Sequence, residues 1–229
     1  MGNSADSGRY VYRCNGSVVP VAESFSRRRD GDAIIIESSR EAPGILLEVE
    51  ASGRHSLVEH CVITCRREAQ PTLRAELSLS DDQLIFSRWV DGELSDQFSS
   101  ARETAPLLSP LMRIFYGPVI LDLAGRNNIA GTESAGEGEV AMPAIADPTD
   151  AERFLQLQVS RRRARRLDGA DDVAAGPPAS VCFEYTGDQY GPGTRFWIDP
   201  QGDLVAYRWQ QPGSAGEQPA QWEVELVRG

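Results

Sequence analysis

The first hundred residues are made of short segments in which apolar and polar residues alternate. One clear example has apolar side chains at Leu73, Ala75, Leu77 and Leu79, with Arg74, Glu76 and Ser78 between them. Such alternation buries one face of a strand and exposes the other. Turn signals such as Asp30-Gly31 and Asp91-Gly92 separate the segments. We therefore predict a mainly β protein with one strongly curved antiparallel sheet, an open or half barrel.

A first helical signal interrupts this pattern near residues 109–116. Ser109 suits an N-cap and Pro110 suits the first helical position. The Gly117-Pro118 pair is typical of a helix end. We expect this short helix to pack against the sheet and a short strand to follow at residues 119–123.

A second helix is predicted near residues 149–168. Thr149 and Glu152 have capping-box spacing, and an arginine cluster occupies residues 161–166. Two interpretations of that cluster are open. It is either a solvated helix face whose positive charge balances the acidic body of the protein, or a contact for nucleic acid.

The chain has the organisation of a single domain. Residues 1–8 are polar, and we expect them to be disordered. Residues 9–229 then form a single β-rich domain, with the two helices as insertions. Residues 125–138 and 171–179 are rich in small and polar residues and predict flexible loops.

Composition excludes several classes of function. All 23 basic residues are arginines, so the chain can form neither a lysine Schiff base nor a Walker-type phosphate loop. His55 and His60 are the two histidines, too few for a three-histidine metal centre. A net charge of −11 disfavours nucleic-acid binding. We expect no metal, no cofactor and no nucleic-acid partner.

The cysteines and the N-terminal sequence bear on the compartment. The first residues lack the apolar core of a secretory signal, and no run approaches the roughly 18 apolar residues that span a bilayer. We therefore expect a cytoplasmic protein with reduced thiols and no membrane span. Cys61 and Cys65 lie in an apparent strand, about 13 Å apart along its axis, which favours buried thiols over a shared metal site.

Aromatic residues crowd into the last fifty positions around a strand–turn–strand segment. Along it, Arg195 and Trp197 share one face, and Phe196 and Ile198 share the other, so that both faces carry apolar bulk. Two interpretations follow. Either one face packs on the helices while the other lines a ligand cavity, or both faces form a core with cross-strand aromatic pairs.

The turn Asp199-x-x-Gly202 between two apolar strands, together with the strand order and the two inserted helices, resembles the curved-sheet proteins of the LolA lipoprotein-carrier type. A cytoplasmic violacein-pathway enzyme looks similar. The resemblance implies a bent antiparallel sheet that wraps a helical plug and holds a hydrophobic ligand. In the enzyme relative it implies cofactor-free catalysis on an indole intermediate.

These observations leave three functions open. The first is a cofactor-independent enzyme, a cyclase or isomerase, that binds a hydrophobic or aromatic small molecule. The second is a non-catalytic carrier of a lipid-like ligand, and the third is a protein-interaction module at a sheet edge. A carboxylate with a raised pKa would move protons and an arginine would hold a substrate carboxylate. The predicted catalytic residues are Glu184, Tyr185 and His60; the predicted substrate-binding residues are Arg88, Arg113, Tyr116, Tyr190, Arg195, Trp197 and Trp209.

Overall fold

A computed structural model describes residues 4–80, 83–101, 106–126, 135–145, 153–169, 175–187, 190–211 and 218–229. Within these ranges the chain is mainly β, as predicted. It forms one α-helix, α1 (Tyr116–Gly125), preceded by a 3-10 turn over Arg113–Phe115. The strands are β1 (Ser4–Cys14), β2 (Ser17–Asp30), β3 (Ala33–Ala42), β4 (Ile45–Arg54), β5 (Leu57–Arg67), β6 (Leu73–Leu79), β7 (Gln83–Val90), β8 (Glu93–Ala101), β9 (Leu107–Leu108), β10 (Gly136–Ile145), β11 (Phe154–Leu167), β12 (Val181–Thr186), β13 (Arg195–Ile198), β14 (Leu204–Gln211) and β15 (Ala220–Arg228).

All these strands belong to one sheet. Its order is β8-β7-β6-β5-β4-β3-β2-β1-β15-β14-β13-β12-β11-β10-β9, so β8 and β9 are its two edges and the sheet is open. Neighbouring strands are antiparallel except for the short parallel pair of β9 with β10. The sheet curves back on itself, because β11 contacts β6 and β7, and β9 contacts β5.

The strands present an apolar inner face to the space that this curvature encloses. In β3, Ile34 and Ile36 are buried while Ile35 between them is 45% exposed. The same alternation runs through β5, where Cys61, Ile63 and Cys65 point inward. Residues from both arms of the sheet and from α1 form one continuous core. Period-two patterning therefore determines which side chains face the interior.

The helix is later in the chain than predicted. Instead of residues 109–116, the helical backbone runs from Arg113 to Gly125, and residues 119–123, predicted as a strand, lie inside it. Pro118 does not end the helix, because it lies in the first turn, where its missing N–H has no intrahelical acceptor to lose. Gly117 is required by close packing: a Cβ there would lie 2.1 Å from the carbonyl oxygen of Gly202.

The second predicted helix is wrong for the described part of residues 149–168. Residues 154–167 form β11, which pairs with β10 on one side and β12 on the other. The burial of side chains in the arginine cluster alternates as it does in a strand. Arg162 and Ala164 are buried, whereas Arg161, Arg163 and Arg165 are exposed, which is the two-residue period of a strand.

The predicted disorder and loops are only partly described. Strand β1 already begins at Ser4, so residues 4–8 are ordered rather than disordered. In the region predicted as a loop at 125–138, Gly125 ends α1 and residues 136–138 begin β10. Residues 127–134 and 170–174 lie outside the described ranges, and residues 175–179 form turns.

Candidate functional site

Five of the ten predicted site residues come together on the inner face of the sheet. Tyr185 lies on β12, Tyr190 follows it in a turn, Trp209 lies on β14, and Arg113 and Tyr116 come from the helical segment. Together with rings that the sequence analysis did not select, they form what we call the Arg113 cluster. It consists of Arg113, Tyr12, Tyr116, Tyr185, Tyr190, Phe196, Tyr207 and Trp209.

The rings of the cluster pack edge to face and stacked around Tyr190. The Tyr190 centroid lies 5.3 Å from that of Phe196 and 5.7 Å from that of Trp209. It lies 5.9 Å from Tyr185 and 6.1 Å from Tyr116. These are the separations at which aromatic pairs attract beyond simple burial. The described interior is thus filled with rings at this point.

Arg113 brings a positive charge into this group of rings. The guanidinium carbon lies 5.0 Å from the centroid of Tyr116, 5.1 Å from Tyr207 and 5.9 Å from Tyr12. Its Nη1 contacts the Tyr190 hydroxyl at 3.4 Å. Cation–π attraction to several rings stabilises a cation that has lost part of its hydration.

A buried carboxylate, Glu23 on β2, fixes the start of the helical segment beside the cluster. Its Oε1 accepts a hydrogen bond from the Arg113 backbone amide at 2.5 Å. Its Oε2 accepts from the Tyr12 hydroxyl and, at 2.7 Å, from Nε of Arg40. Arg40 in turn donates to the carbonyl oxygen of Leu111 at 2.8 Å. Sequence reasoning missed Glu23 and Arg40; an acidic residue at an inward-facing strand position was the available signal.

Two polar atoms beside Tyr190 are buried without a hydrogen-bond acceptor in the described structure. They are Nε of Arg113 and Nε1 of Trp209. Among the described residues, Arg113 forms no ion pair, because the nearby Glu23 carboxylate pairs with Arg40. The charge of Arg113 is therefore unmatched in this part of the structure. Buried polar groups in native proteins nearly always have partners, so two orphans around one ring are unusual.

Three tyrosines of the cluster, Tyr12, Tyr190 and Tyr207, are neutral hydrogen-bonding groups. Burial raises the pKa of Tyr12, of Tyr190 and of Tyr207, in each case as the largest effect. Their hydroxyls therefore stay protonated at neutral pH and can donate hydrogen bonds to an anion or a carbonyl oxygen. They do not supply a base.

Glu184 and Arg195 lie on the opposite face of the sheet from the cluster. Glu184 pairs with Arg165 at 3.0 Å and with Arg195 at 3.5 Å. Partial burial raises the pKa of Glu184, but hydrogen bonds from the Gly193 amide and from Arg165 outweigh it and leave the pKa below its usual value. The expectation of a carboxylate with a raised pKa in an apolar cup is therefore wrong for Glu184.

Trp197 also faces outward, in a small core of its own. It packs with Cys182 and Ala206, and the Arg208 guanidinium stacks on its ring at 5.3 Å. The segment at Gly176 covers it so closely that a Cβ there would lie 2.1 Å from the indole. Both faces of this part of the sheet are thus packed cores, which agrees with the second interpretation of the aromatic segment.

His60 and Arg88 are remote from the cluster and have other partners. His60 faces outward on β5, where its Nε2 lies 3.0 Å from Oε1 of Glu76 and lowers the pKa of that carboxyl. Arg88 is buried on β7, and its Nε donates to the carbonyl oxygen of Phe154 at 2.9 Å. Arg88 therefore ties one arm of the sheet to the start of β11.

Two surface concavities of the described structure lie away from the cluster. One of about 540 Å³ covers the outer face of β2 to β5, with Ser24, Ser39 and Glu48 in its lining. Another of about 340 Å³ is lined by Arg163, Arg165 and Glu184. Among the described residues, no group of three or more metal-ligating side chains converges.

No family model and no curated protein matches the chain. The crystal structure of a β-barrel-like protein of a domain of unknown function, DUF1849, from Brucella abortus aligns over 97% of this chain and 95% of that one, with 7% identity and a TM-score of 0.39. No match names a lipoprotein carrier or a violacein-pathway enzyme, so that resemblance stays a prediction.

The helices of the described residues bear on the expectation of no membrane span. None of their helices has both the length and the apolar character needed to cross a bilayer.

Proposed function

We propose that this protein binds a small amphipathic molecule, with Arg113 as the anchor for an anionic group on that molecule. The observation that carries the proposal is the Arg113 guanidinium, which lies among rings, has no carboxylate partner among the described residues, and has its Nε buried and unpaired there. Burying an uncompensated charge is costly. A carboxylate on a ligand would accept two parallel hydrogen bonds from such a group, the geometry in which arginine binds most strongly.

The surroundings of Arg113 suit the apolar part of the same molecule. Tyr116 and Tyr207 flank the guanidinium, and Trp209 offers a second unpaired donor near them. A mostly apolar site with a few convergent polar groups is the usual composition of a small-molecule site. The hydroxyls of Tyr12 and Tyr190 add further donors.

Binding accounts for these residues better than catalysis does. A cyclase or isomerase needs a group that moves a proton at the site. The carboxylate nearest to the cluster, Glu23, already accepts hydrogen bonds from Tyr12, Arg40 and the Arg113 amide. Tyr190 and Tyr207 have raised pKa values and hold their protons. We therefore favour a carrier or sensor of the ligand over an enzyme.

Calorimetric titration with matched acids and alcohols tests the proposal. The probes are 4-hydroxyphenylacetate against 4-hydroxyphenethyl alcohol, and hexanoate against hexanol. We expect the acid of at least one pair to bind about ten-fold tighter than its alcohol, because a charge-assisted hydrogen bond is worth about 1.5–3 kcal/mol. Arg113→Gln should abolish that preference. Arg208→Gln, which removes an arginine stacked on the outward-facing Trp197, should keep it.

Equal binding of acid and alcohol in both pairs would contradict the proposal, as would a preference that survives in Arg113→Gln. Mass spectrometry of the acid after incubation separates the two classes of function. A carrier returns the molecule unchanged, whereas an enzyme alters its mass or its retention time.

A further inference from the structure

We infer that the apolar part of the ligand is a single aromatic ring, and that Tyr190 occupies the position of that ring in the structure. This inference rests on the proposed function and names the class of ligand: a phenol-sized aromatic acid. Tyr190 is the central ring of the Arg113 cluster. Its ring is in contact with those of Tyr116, Tyr185, Phe196, Tyr207 and Trp209.

Tyr190 reaches this position in a different way from the rings around it. The five rings in contact with it come from β12, β13, β14 and α1, whose backbones the sheet and the helix fix. Tyr190 instead follows the end of β12, where it forms an isolated bridge with Gly187. Five rings thus form a frame held by the sheet and the helix, and the sixth, Tyr190, enters it from the isolated bridge beyond β12.

The polar groups of the frame fit Tyr190 poorly. Its hydroxyl lies 3.4 Å from Nη1 of Arg113 and 3.4 Å from the Tyr116 hydroxyl, at the long limit of hydrogen bonding. By comparison, the buried Tyr10 hydroxyl donates to its acceptor at 3.0 Å. Nε of Arg113 and Nε1 of Trp209 find no acceptor in the described structure. One phenol oxygen is therefore too little for the donors that surround it.

An aromatic acid would fill the ring position of the frame and would also satisfy its unpaired donors. Its ring would replace the Tyr190 ring in contact with the same five neighbours. Its carboxylate would supply two oxygens and about four acceptor positions where Tyr190 supplies one oxygen. A negative charge would also balance Arg113. This is why the inference selects a ring with an acid rather than an alkyl chain with an acid.

The backbone of Tyr190 is held by two hydrogen bonds with Gly187, at 2.9 and 3.1 Å, so release of the side chain breaks an isolated bridge rather than a strand. Gly187 and Gly193 have φ values of 122° and 90°, in the region that favours glycine. A Cβ added at Gly191 or at Gly193 would meet no atom within 4 Å, so these two positions are open, whereas one at Gly187 would lie 2.6 Å from the carbonyl oxygen of Arg161. Beyond Tyr190, the Gly193 amide donates a hydrogen bond to Glu184 at 3.1 Å.

Affinity for 4-hydroxyphenylacetate in wild type and in Tyr190→Ala tests the inference. When a ligand competes with an internal ring, only the molecules in which the ring site is open can bind it. The apparent Kd is therefore the intrinsic Kd divided by that open fraction. We expect Tyr190→Ala to bind at least about ten-fold tighter than wild type. Phe25→Ala, which removes a buried ring packed on Tyr10 outside the cluster, should show no gain.

Hydrogen exchange on the wild-type protein gives a second readout that does not depend on the folding of a variant. Displacement of Tyr190 predicts that saturating 4-hydroxyphenylacetate makes the amides of Gly187, Tyr190, Gly191, Gly193 and Thr194 exchange faster. Binding beside an undisturbed Tyr190 would leave them unchanged or slower. If wild type binds the acid, but these amides are not faster and Tyr190→Ala gains nothing, the inference is overturned and the proposed function stands.

Two other results concern the proposed function. Tighter binding of both the acid and 4-hydroxyphenethyl alcohol by Tyr190→Ala, with no preference between them, would support the ring site and overturn the role of Arg113 as an anion anchor. No binding of the acid by either protein would overturn both.

Discussion

The backbone amide of Arg113 donates a 2.5 Å hydrogen bond to Oε1 of Glu23, although 90 residues separate them in the chain. This bond joins the helical segment to β2 and fixes where the Arg113 side chain emerges. The other oxygen of Glu23 binds the Tyr12 hydroxyl and Arg40. One buried carboxylate therefore holds three groups around the candidate site.

Glu23→Gln should destabilise the protein by about 3 kcal/mol, because it leaves the Arg40 guanidinium buried without its counter-charge. Urea unfolding measures the loss. Glu225→Gln is the matched control: its pair with Arg13 is exposed, and its removal should cost less than about 1 kcal/mol. Similar losses in the two variants would mean that Glu23 is not the buried anchor.

Arg162→Ala should cost about 3 kcal/mol, while Arg163→Ala should stay within about 0.5 kcal/mol of wild type. Arg162 is buried, donates to Ser160 at 2.9 Å and also to the carbonyl oxygen of Gly187. Arg163 points to solvent on the outer face. Thermal and urea unfolding of the two variants measure the contrast. Equal effects would contradict the strand alternation of β11.

Gly117→Ala should destabilise the protein by about 1–3 kcal/mol, because its Cβ would meet the Gly202 carbonyl oxygen at 2.1 Å and force the helix away from the turn. Gly125→Ala, in the same helix, has open space around the added Cβ and should be neutral or stabilising by up to about 1 kcal/mol. The difference in melting temperature between the two variants is the measurement. A stable Gly117→Ala would show that the helix can shift without cost.

The buried thiols should be unreactive in the folded protein. Burial raises the pKa of Cys61 to about 12 and that of Cys65 to about 11. At pH 8, well below both values, these groups stay protonated, and the thiolate is the reactive form. Cys182 is buried as well, whereas Cys14 is only partly covered. A disulfide reagent at pH 8 should therefore modify Cys14 first and reach the other three only in denaturant. Rapid native modification of Cys61 would contradict its position in the core.

Much of the sheet was predictable from local pattern. Strand β6 has the predicted bounds because its leucines and alanine alternate strictly with polar residues, and Asp91-Gly92 marks a real hairpin turn. Strand β8 was missed because it is almost wholly exposed and so carries no alternation to detect. Sequence pattern reports burial, and this edge strand lacks it.

The second helix failed for a different reason. The capping-box spacing at Thr149 and the arginine run favour a helix locally, but pairing of β11 with two neighbouring strands decides the outcome. Arg162 shows why this was hidden: a buried arginine breaks the hydrophobic alternation that would have marked a strand. Intrinsic propensity is weak enough for tertiary pairing to override it.

The candidate site was predictable in its residue types but not in its assembly. Aromatic enrichment pointed to Tyr185, Tyr190 and Trp209, and Arg113 was selected as a cation for a carboxylate. Glu184 was selected beside Tyr185, yet adjacent residues on a strand face opposite sides, and it lies outside the cluster. The contribution of Glu23 depends on a contact across 90 residues, which no local pattern records.

Crystals soaked with 3-bromo-4-hydroxyphenylacetate test the Arg113 site most directly, because anomalous scattering locates the bromine without reference to any ligand geometry. We predict a bromine peak within the frame of Tyr116, Phe196 and Tyr207, with the carboxylate on Arg113. The proposed site at Arg113 would be contradicted by a peak confined to the outer-face concavities, at Glu48 or at Glu184, with none in the Arg113 cluster.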